Sequence, residues 1–284
     1  MTTRGVDIQL LEVGHCRHLE RITIRGGRWR LCQFPALVVL IRHPEIGPIL
    51  YDTGYADRFE TATTPFPERF YRWLTPVTLP PRQRLAAQLA GYGLEPGDIR
   101  LVLISHMHAD HVAGLRDLPR ARFVALRADI DAVARLGRLS GVCKAFLPAL
   151  LPDDFEARLD YADDRPSRAL GAAWGPFTQG FDVMGDGSLM AIPLPGHSAA
   201  QMGLAVQATD GRRCLLAADA CWSARAFRDR RLPSVLTRPL MHDWRAYRHT
   251  LDNLGALSDA QPDLPIVPSH CAASIATLKA EWRV

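Results

Sequence analysis

The sequence has little of what marks a secreted, membrane-spanning or nucleic-acid-binding protein. Its six cysteines show no CxxC or other paired spacing, which is typical of free thiols in a reducing compartment. It has no apolar run of about 18 residues and no apolar signal core at its N-terminus, so we expect no membrane span and a cytoplasmic location. Lysine occurs twice among the 34 basic residues, and the arginines are scattered rather than grouped in a stripe with aromatics. We therefore expect no nucleic-acid partner.

The length and composition allow a large hydrophobic core. The chain has 284 residues, of which 48% are hydrophobic, and its formal net charge of +4 is small. One large domain or two small ones would fit this length. We predict one domain over residues 1–284, with a lid-like insert at 55–81 and an irregular insert at 141–175.

Metal-capable side chains are concentrated directly behind an apolar run. The run 101–104 (LVLI) predicts a buried strand, and HMHADH follows at 106–111. His106 and His108 are two residues apart, so in an extended segment they point the same way and can bind one cation. Asp110 and His111 follow as the chain turns and can reach a second cation. An incidental polar loop is the competing interpretation, and four such side chains within six residues argue against it.

Imidazole and carboxylate ligands suit zinc best, with iron, manganese and cobalt as alternatives. The HMHADH stretch resembles the HxHxDH signature of the metallo-β-lactamase superfamily. The resemblance implies three more ligands downstream, and the chain has candidates in that order: His197 in PLPGHSAAQ, Asp219 in LLAADA and His270 in IVPSHC. It runs from about residue 8 to residue 270.

The resemblance implies two adjacent divalent cations. The first would be held by His106, His108 and His197. The second would be held by Asp110, His111 and His270, with Asp219 shared by both. A hydroxide bridging the two cations would attack an electrophilic carbonyl, and Asp110 would pass a proton to the leaving group.

Strands and helices alternate in two similar halves, which together with the resemblance predicts an α/β fold, the four-layer αββα sandwich. A hairpin around Gly26-Gly27 is predicted from 21–24 and 28–33. Other strands are predicted at 6–13, 36–42, 48–51, 122–126, 180–184, 188–193, 202–207, 213–218 and 264–268. Helices are predicted at 81–92, 129–136, 143–150, 243–257 and 274–282.

Two further polar residues have competing interpretations. Asp52, in the DTG sequence after an apolar strand, either supports the metal loop from beneath, as the resemblance implies, or forms a simple Asx turn. Cys221 is either a buried thiol or an alternative ligand, although the other ligands already complete the set.

An aromatic segment follows DTG. It is expected to be a lid or a wall of an apolar substrate pocket, a local hydrophobic cluster under a loop, or a dimer interface. The substrate-pocket candidates are Phe59, Phe66, Phe70, Met107 and Trp222. Residues 141–175 show no clear period and are a candidate for the pocket roof.

The substrate follows less directly from the sequence than the metal centre. The aromatic insert, the PGHS and DA motifs and the scarcity of basic residues near them are most similar to the N-acyl homoserine lactonase-like branch. We therefore expect hydrolysis of an ester or lactone with an apolar portion. The alternative is a glyoxalase II-like thioester hydrolase, with a phosphodiesterase or a non-catalytic metal-binding protein less favoured. That branch has a tyrosine, which contacts the substrate carbonyl, three residues after the shared aspartate, and this chain has Trp222 there.

Overall fold

Two β-sheets stacked against each other form the centre of the computed structural model, which describes residues 5–282. The strands, in chain order, are β1 Asp7–Leu19, β2 Leu31–His43, β3 Gly47–Tyr51, β4 Val77–Thr78, β5 Leu101–Leu103, β6 Arg122–Ala125, β7 Leu159–Tyr161, β8 Ser167–Ala169, β9 Gln179–Asp182, β10 Leu189–Pro193, β11 Met202–Gln207, β12 Arg213–Ala218 and β13 Ile266–Pro268.

The α-helices lie on the outer faces of the sheets and at their edges. In chain order they are α1 Glu20–Thr23, α2 Arg58–Ala62, α3 Arg69–Leu74, α4 Leu85–Ala90, α5 Ala109–Val112, α6 Arg127–Ala134, α7 Arg138–Cys143, α8 Ala224–Arg228, α9 Trp244–Ala260 and α10 Ala272–Glu281.

The strand order places the metal-motif strand inside the first sheet. That sheet runs β4-β1-β2-β3-β5-β6-β7, and the second runs β13-β12-β11-β10-β9-β8. β3, β5, β6 and β7 are parallel to one another, as are β12 and β13. The carboxyl ends of parallel strands lie at one edge of a sheet, and this is where α/β folds place their sites.

Three apolar layers account for the stacking. In β2, Leu37, Val39 and Ile41 face the layer between the sheets, whereas the intervening residues face the helices outside the first sheet. Strand periodicity and burial on both faces explain why this segment reads as a continuous apolar run. The third layer lies between the second sheet and the helices α8 and α9. The predicted four-layer αββα sandwich is therefore confirmed.

The predicted hairpin around Gly26-Gly27 is wrong. Residues 20–23 form the short helix α1, and β1 pairs instead with β2 as far as Leu19 opposite Leu31. β1 is also longer than predicted, because a bulge between Glu12 and His15 interrupts its alternation. Gly14 lies in this bulge with φ of 81°. Residues 15–18, beyond the bulge, therefore continue the strand.

The helix predicted at 143–150 is also wrong. α7 ends at Cys143, and Pro148 begins a separate 3₁₀ turn over Pro148–Leu150. A proline cannot donate the backbone hydrogen bond that a continuing helix requires. The helix predicted at 81–92 is split in the same way, into a turn at Pro81–Gln83 and α4.

The two predicted inserts have different structures. Residues 55–81 contain α2, α3 and β4. Residues 141–175 contribute two edge strands: β7 pairs with β6 at the end of the first sheet, and β8 pairs with β9 at the end of the second. The predicted domain limits, 1 and 284, lie outside the described residues. No helix within 5–282 has the length and apolarity needed to cross a membrane. All six cysteines are free thiols.

Candidate metal centre

The predicted ligands lie at one edge of the sandwich because each follows the end of a strand. The HMHADH stretch follows β5, while His197, Asp219 and His270 follow β10, β12 and β13. The two sheets are joined here, since the Met202 amide donates to the Ser105 carbonyl at 2.7 Å. The structure thus brings together all seven predicted ligands, which come from segments far apart in the chain.

The candidate ligand atoms form three overlapping groups. Within each group, atoms from all three residues lie within 4.8 Å of one another. The groups are His106, His108 and His197; Asp110, His111 and His270; and His106, His111 and Asp219. The first two groups match the two predicted sites, and the third places Asp219 between them.

Three of the five candidate histidine rings, those of His106, His111 and His270, are held by contacts at Nδ1, the nitrogen that faces away from the centre. Asp52 Oδ2 lies 2.7 Å from His111 Nδ1, Ser105 Oγ lies 3.0 Å from His106 Nδ1, and the Pro35 carbonyl lies 2.7 Å from His270 Nδ1. Such partners fix the orientation and tautomer of metal-binding histidines. In each ring the Nε2 atom remains for the centre.

Asp52 makes the contacts expected of a supporting residue rather than of an Asx turn. Its carboxylate accepts from the Ser105 amide and from Ser105 Oγ, both at 2.7 Å, in addition to its contact with His111. Asp52 has φ of 61°, and Ala218, directly before Asp219, has φ of 44°. Left-handed conformations at residues other than glycine carry strain, and strain of this kind is concentrated at functional sites.

The turn before His197 requires glycine. Gly196 has φ of 131°, and a Cβ atom there would lie 2.1 Å from the Tyr247 amide nitrogen of α9. The Thr250 hydroxyl also donates to the Pro195 carbonyl at 2.7 Å. The long helix α9 therefore holds the His197 loop by direct backbone contact.

The buried polar atoms at the centre fit cations. His106 Nε2, His111 Nε2 and Asp219 Oδ1 are buried and have no hydrogen-bond partner. Leaving such atoms unpaired is costly, and a cation among them would satisfy all three. The donor set of imidazoles and carboxylates is also the one that zinc prefers.

The protonation pattern points the same way. Burial, reinforced by neighbouring histidines, lowers the pKa of His106 and of His108 well below the usual value. Although burial alone would lower the pKa of His111, Asp52 and Asp110 raise it to about 10. Asp219 and Asp110 likewise raise the pKa of His270 well above its usual value against the effect of burial. The carboxylates thus call for positive charge here, which a cation can supply in place of these protons.

The comparison with known families agrees with this geometry. The profile of the metallo-beta-lactamase superfamily matches residues 33–270. The chain belongs to the metallo-beta-lactamase superfamily.

Individual members of the superfamily are similar to this chain over most of its length. N-acyl homoserine lactonase AttM of Rhizobium radiobacter is 27% identical over 221 residues, 77% of each chain. An N-acyl homoserine lactone hydrolase solved with N-hexanoyl-L-homoserine at its metal center has a TM-score of 0.69 at 18% identity, covering 98% of this chain and 97% of that one. AidC, described as a dizinc quorum-quenching lactonase, has a TM-score of 0.64 at 14% identity, covering 96% and 90%. The two structures confirm the fold, and the predicted class of ester-bond hydrolase agrees with the activity named for these relatives.

Two residues that the sequence analysis did not identify support the candidate metal centre. Ser105 contacts Asp52 and two histidines, as described above. Asp129, in the first turn of α6, is buried and accepts from the Met107 amide at 3.2 Å and from the Ala200 amide at 3.4 Å. It therefore ties the HMHADH loop to the loop of His197. A single acid at a helix start gives no signal of this role, because the loops it joins are far apart in sequence.

The predicted pocket residues are divided between the core and the surface. Met107 and Phe59 are buried in the apolar layer, with Phe59 packed between Tyr55 and Tyr71 at ring distances of 5.3 and 5.5 Å. Neither presents an open surface to a ligand. Phe66 and Phe70, in contrast, are exposed.

Trp222 and Cys221 are both buried beside the centre. Within residues 5–282, no group of candidate ligands includes Cys221. The thiol interpretation is therefore favoured over the ligand interpretation.

Proposed function

We propose that this chain is a metal-dependent hydrolase that uses two divalent cations to open an ester or lactone, with an N-acyl homoserine lactone-like molecule as the substrate. The observation that carries the proposal is the convergence of seven buried candidate ligands into two groups joined by Asp219. Two bound cations would supply a hydroxide at neutral pH and polarise the carbonyl of the substrate. Zinc is the preferred cation, and the description of AidC as dizinc supports this choice.

In this proposal the five histidines, Asp219 and Asp110 would hold the cations, and Asp110 would also move the proton. The Asp110 side chain is 11% exposed, compared with 4% for Asp219, so it lies toward the open side of the centre. Asp110 Oδ2 lies 3.2 Å from His270 Nε2. The pKa of Asp110 is lowered because His111 and His270 outweigh the opposing effect of burial. At neutral pH it is therefore a carboxylate that can accept a proton and deliver it to the leaving alkoxide.

The surroundings of the centre favour a neutral substrate. Within residues 5–282, no arginine or lysine forms an ion pair with any of the seven candidate ligands. Arg58, Arg116 and Arg122, for example, pair instead with surface aspartates. A phosphodiester or a glutathione conjugate would call for cationic support, so this distribution favours the lactone. The names of the curated relatives support it as well.

An exposed aromatic row, formed by Phe66 and by Phe70 and Trp73 of α3, is a candidate for binding the apolar portion of the substrate. The rings of Phe66 and Phe70 lie 5.3 Å apart, and those of Phe70 and Trp73 lie 5.6 Å apart. A contact between two copies of the chain is the competing role. If Phe70→Ser raises KM more for long-chain than for short-chain lactones and leaves the molecular mass in solution unchanged, the substrate role is supported.

The deciding experiment measures hydrolysis and metal content on one sample. We expect about two metal ions per chain, turnover of a long-chain N-acyl homoserine lactone, and loss of that turnover on chelation. An acyl thioester and a phosphodiester are assayed in parallel. Turnover of the thioester alone would favour the alternative function. His197→Ala, which removes a candidate ligand, should reduce both metal content and turnover. His249→Ala, which alters an exposed histidine outside the centre, is its matched control and should change neither. Fewer than one metal ion per chain would refute the proposed centre.

A further inference from the structure

The indole of Trp222 is bonded to the carboxylate that joins the two groups of ligands. Trp222 is 8% exposed, and its Nε1–H donates to Asp219 Oδ2 at 2.9 Å. An indole has one hydrogen to donate. Because Asp219 takes that hydrogen, Trp222 has none left for a substrate carbonyl.

The same ring also contacts one of the histidines. The Trp222 and His197 rings meet edge to face, with centroids 5.7 Å apart and planes at 85°. His197 Nε2 in turn lies 3.3 Å from Asp219 Oδ2. Trp222 therefore touches two candidate ligands at once, one through a hydrogen bond and one through packing.

The bond to Trp222 determines which carboxylate oxygen is free. Asp219 Oδ2 has three close nitrogen neighbours, from Trp222, His197 and His270. Asp219 Oδ1 has no hydrogen-bond partner and faces His111 Nε2 at 3.6 Å. If the indole hydrogen were absent, the carboxylate could rotate about its Cβ–Cγ bond, and this distinction between the oxygens would be lost.

We propose that Trp222 is a positioning residue for the metal centre rather than a residue that binds the substrate carbonyl. It fixes the rotation of the Asp219 carboxylate so that Oδ1 faces His111 Nε2, and it packs against the ring of His197, a member of the first group of ligands. The inference rests on the proposed metal centre but not on the lactone substrate.

The first test observes the hydrogen bond directly. The full chain is labelled with ¹⁵N-tryptophan and studied both zinc-loaded and after chelation, and the Trp222 indole signal is assigned by its loss in Trp222→Phe. We expect Asp219→Ala to shift this signal and to speed its exchange with water. The signal of Trp174, which is buried in the same apolar layer and has no indole hydrogen bond among residues 5–282, should not change. An unchanged Trp222 signal in Asp219→Ala would overturn the inference.

The second test measures zinc affinity by competition with a chelator. Loss of a partner that orients a metal ligand typically weakens metal binding roughly 10- to 100-fold. We expect a loss of this size for at least one of the two zinc ions in Trp222→Phe, and none in Trp174→Phe. Replacement of Trp222 by β-(3-benzothienyl)alanine, which keeps the ring size and removes only the donor, should weaken zinc binding as well.

The outcomes separate this inference from the proposed function. Wild-type zinc affinity in the benzothienyl variant would show that ring packing alone suffices, and would overturn the positioning role of the hydrogen bond. A chain that binds two zinc ions but hydrolyses no lactone would refute the proposed substrate and leave the inference standing. The indole signal tests the Trp222–Asp219 bond even in a chain without zinc.

Discussion

Replacing Asp52 by asparagine should change which tautomer the neutral His111 imidazole adopts. In the structure Asp52 accepts from the Ser105 amide and hydroxyl and lies 2.7 Å from His111 Nδ1. An asparagine that keeps the bond to the Ser105 amide would present its NH₂ group to His111 Nδ1. That nitrogen would then have to accept, which places the proton on Nε2, the atom needed for the cation.

The expected magnitudes follow from these contacts. Asparagine readily adopts the left-handed conformation found at Asp52. Asp52→Asn should therefore lower the free energy of unfolding by only about 1.5 to 3 kcal/mol, the contribution of a hydrogen bond to a charged group. Asp52→Ala should lose about 3 to 5 kcal/mol, because it leaves several buried donors unpaired and adds strain at φ of 61°. In Asp52→Asn, the affinity for the second cation should fall roughly 10- to 100-fold.

The assay combines urea unfolding of the chelated chain with zinc competition on the loaded chain. Asp186→Asn is the matched control, since Asp186 Oδ2 lies 3.1 Å from Nε2 of the buried His43, outside the metal centre. It should reduce stability without changing zinc affinity. If Asp52→Asn holds two zinc ions with wild-type affinity, the argument from the His111 tautomer is wrong.

Three other predictions concern the same centre. Asp219→Ala should lower the metal content below two per chain, counted by mass spectrometry, and a full complement of two would contradict the shared role of Asp219. Because the pKa of His111 is raised to about 10 and that of His270 is also raised, both imidazoles are doubly protonated at pH 7.5 in the metal-free chain. Zinc loading should therefore release about two protons from these histidines, and about one more from the water that becomes the proposed hydroxide. Calorimetry in buffers of different ionisation enthalpy counts them, zinc affinity should fall as the pH is lowered, and a release near zero would contradict the assigned charges. Asp129→Ala should destabilise the chain by about 2 to 4 kcal/mol in urea unfolding, because the amides of Met107 and Ala200 lose their acceptor; a loss below about 1 kcal/mol would show that Asp129 does not tie the two loops.

The candidate ligands could be picked out from the sequence because the pattern that marks them is local. Four of them fall in one hexapeptide, and the others follow apolar runs in turns of recognisable type. The periodicity of β10, β11 and β12 was also clear, since each places alternate residues in the layer between the sheets. The helix predicted at 243–257 is confirmed as α9, which Asp243 caps by accepting from the amides of Arg245 and Ala246.

The features that could not be predicted depend on contacts between distant segments. The role of Asp129 requires two loops that only the folded chain brings together. The left-handed conformation of Ala218, directly before Asp219, is not one that alanine signals. The continuation of β1 beyond its bulge depends on pairing with β2 rather than on its own alternation.

The origin of the ligands in both sheets has a mechanical consequence. His108 and His197 are 89 residues apart in the chain, and their ring nitrogens lie 3.0 Å apart. A cation held between them would act as a reversible cross-link that closes a long loop and joins the two halves of the sandwich. Such a cross-link restricts the unfolded chain and must break before the halves can separate. Chelation should therefore remove this cross-link, so that the two sheets separate more easily under force or heat even where every strand remains intact.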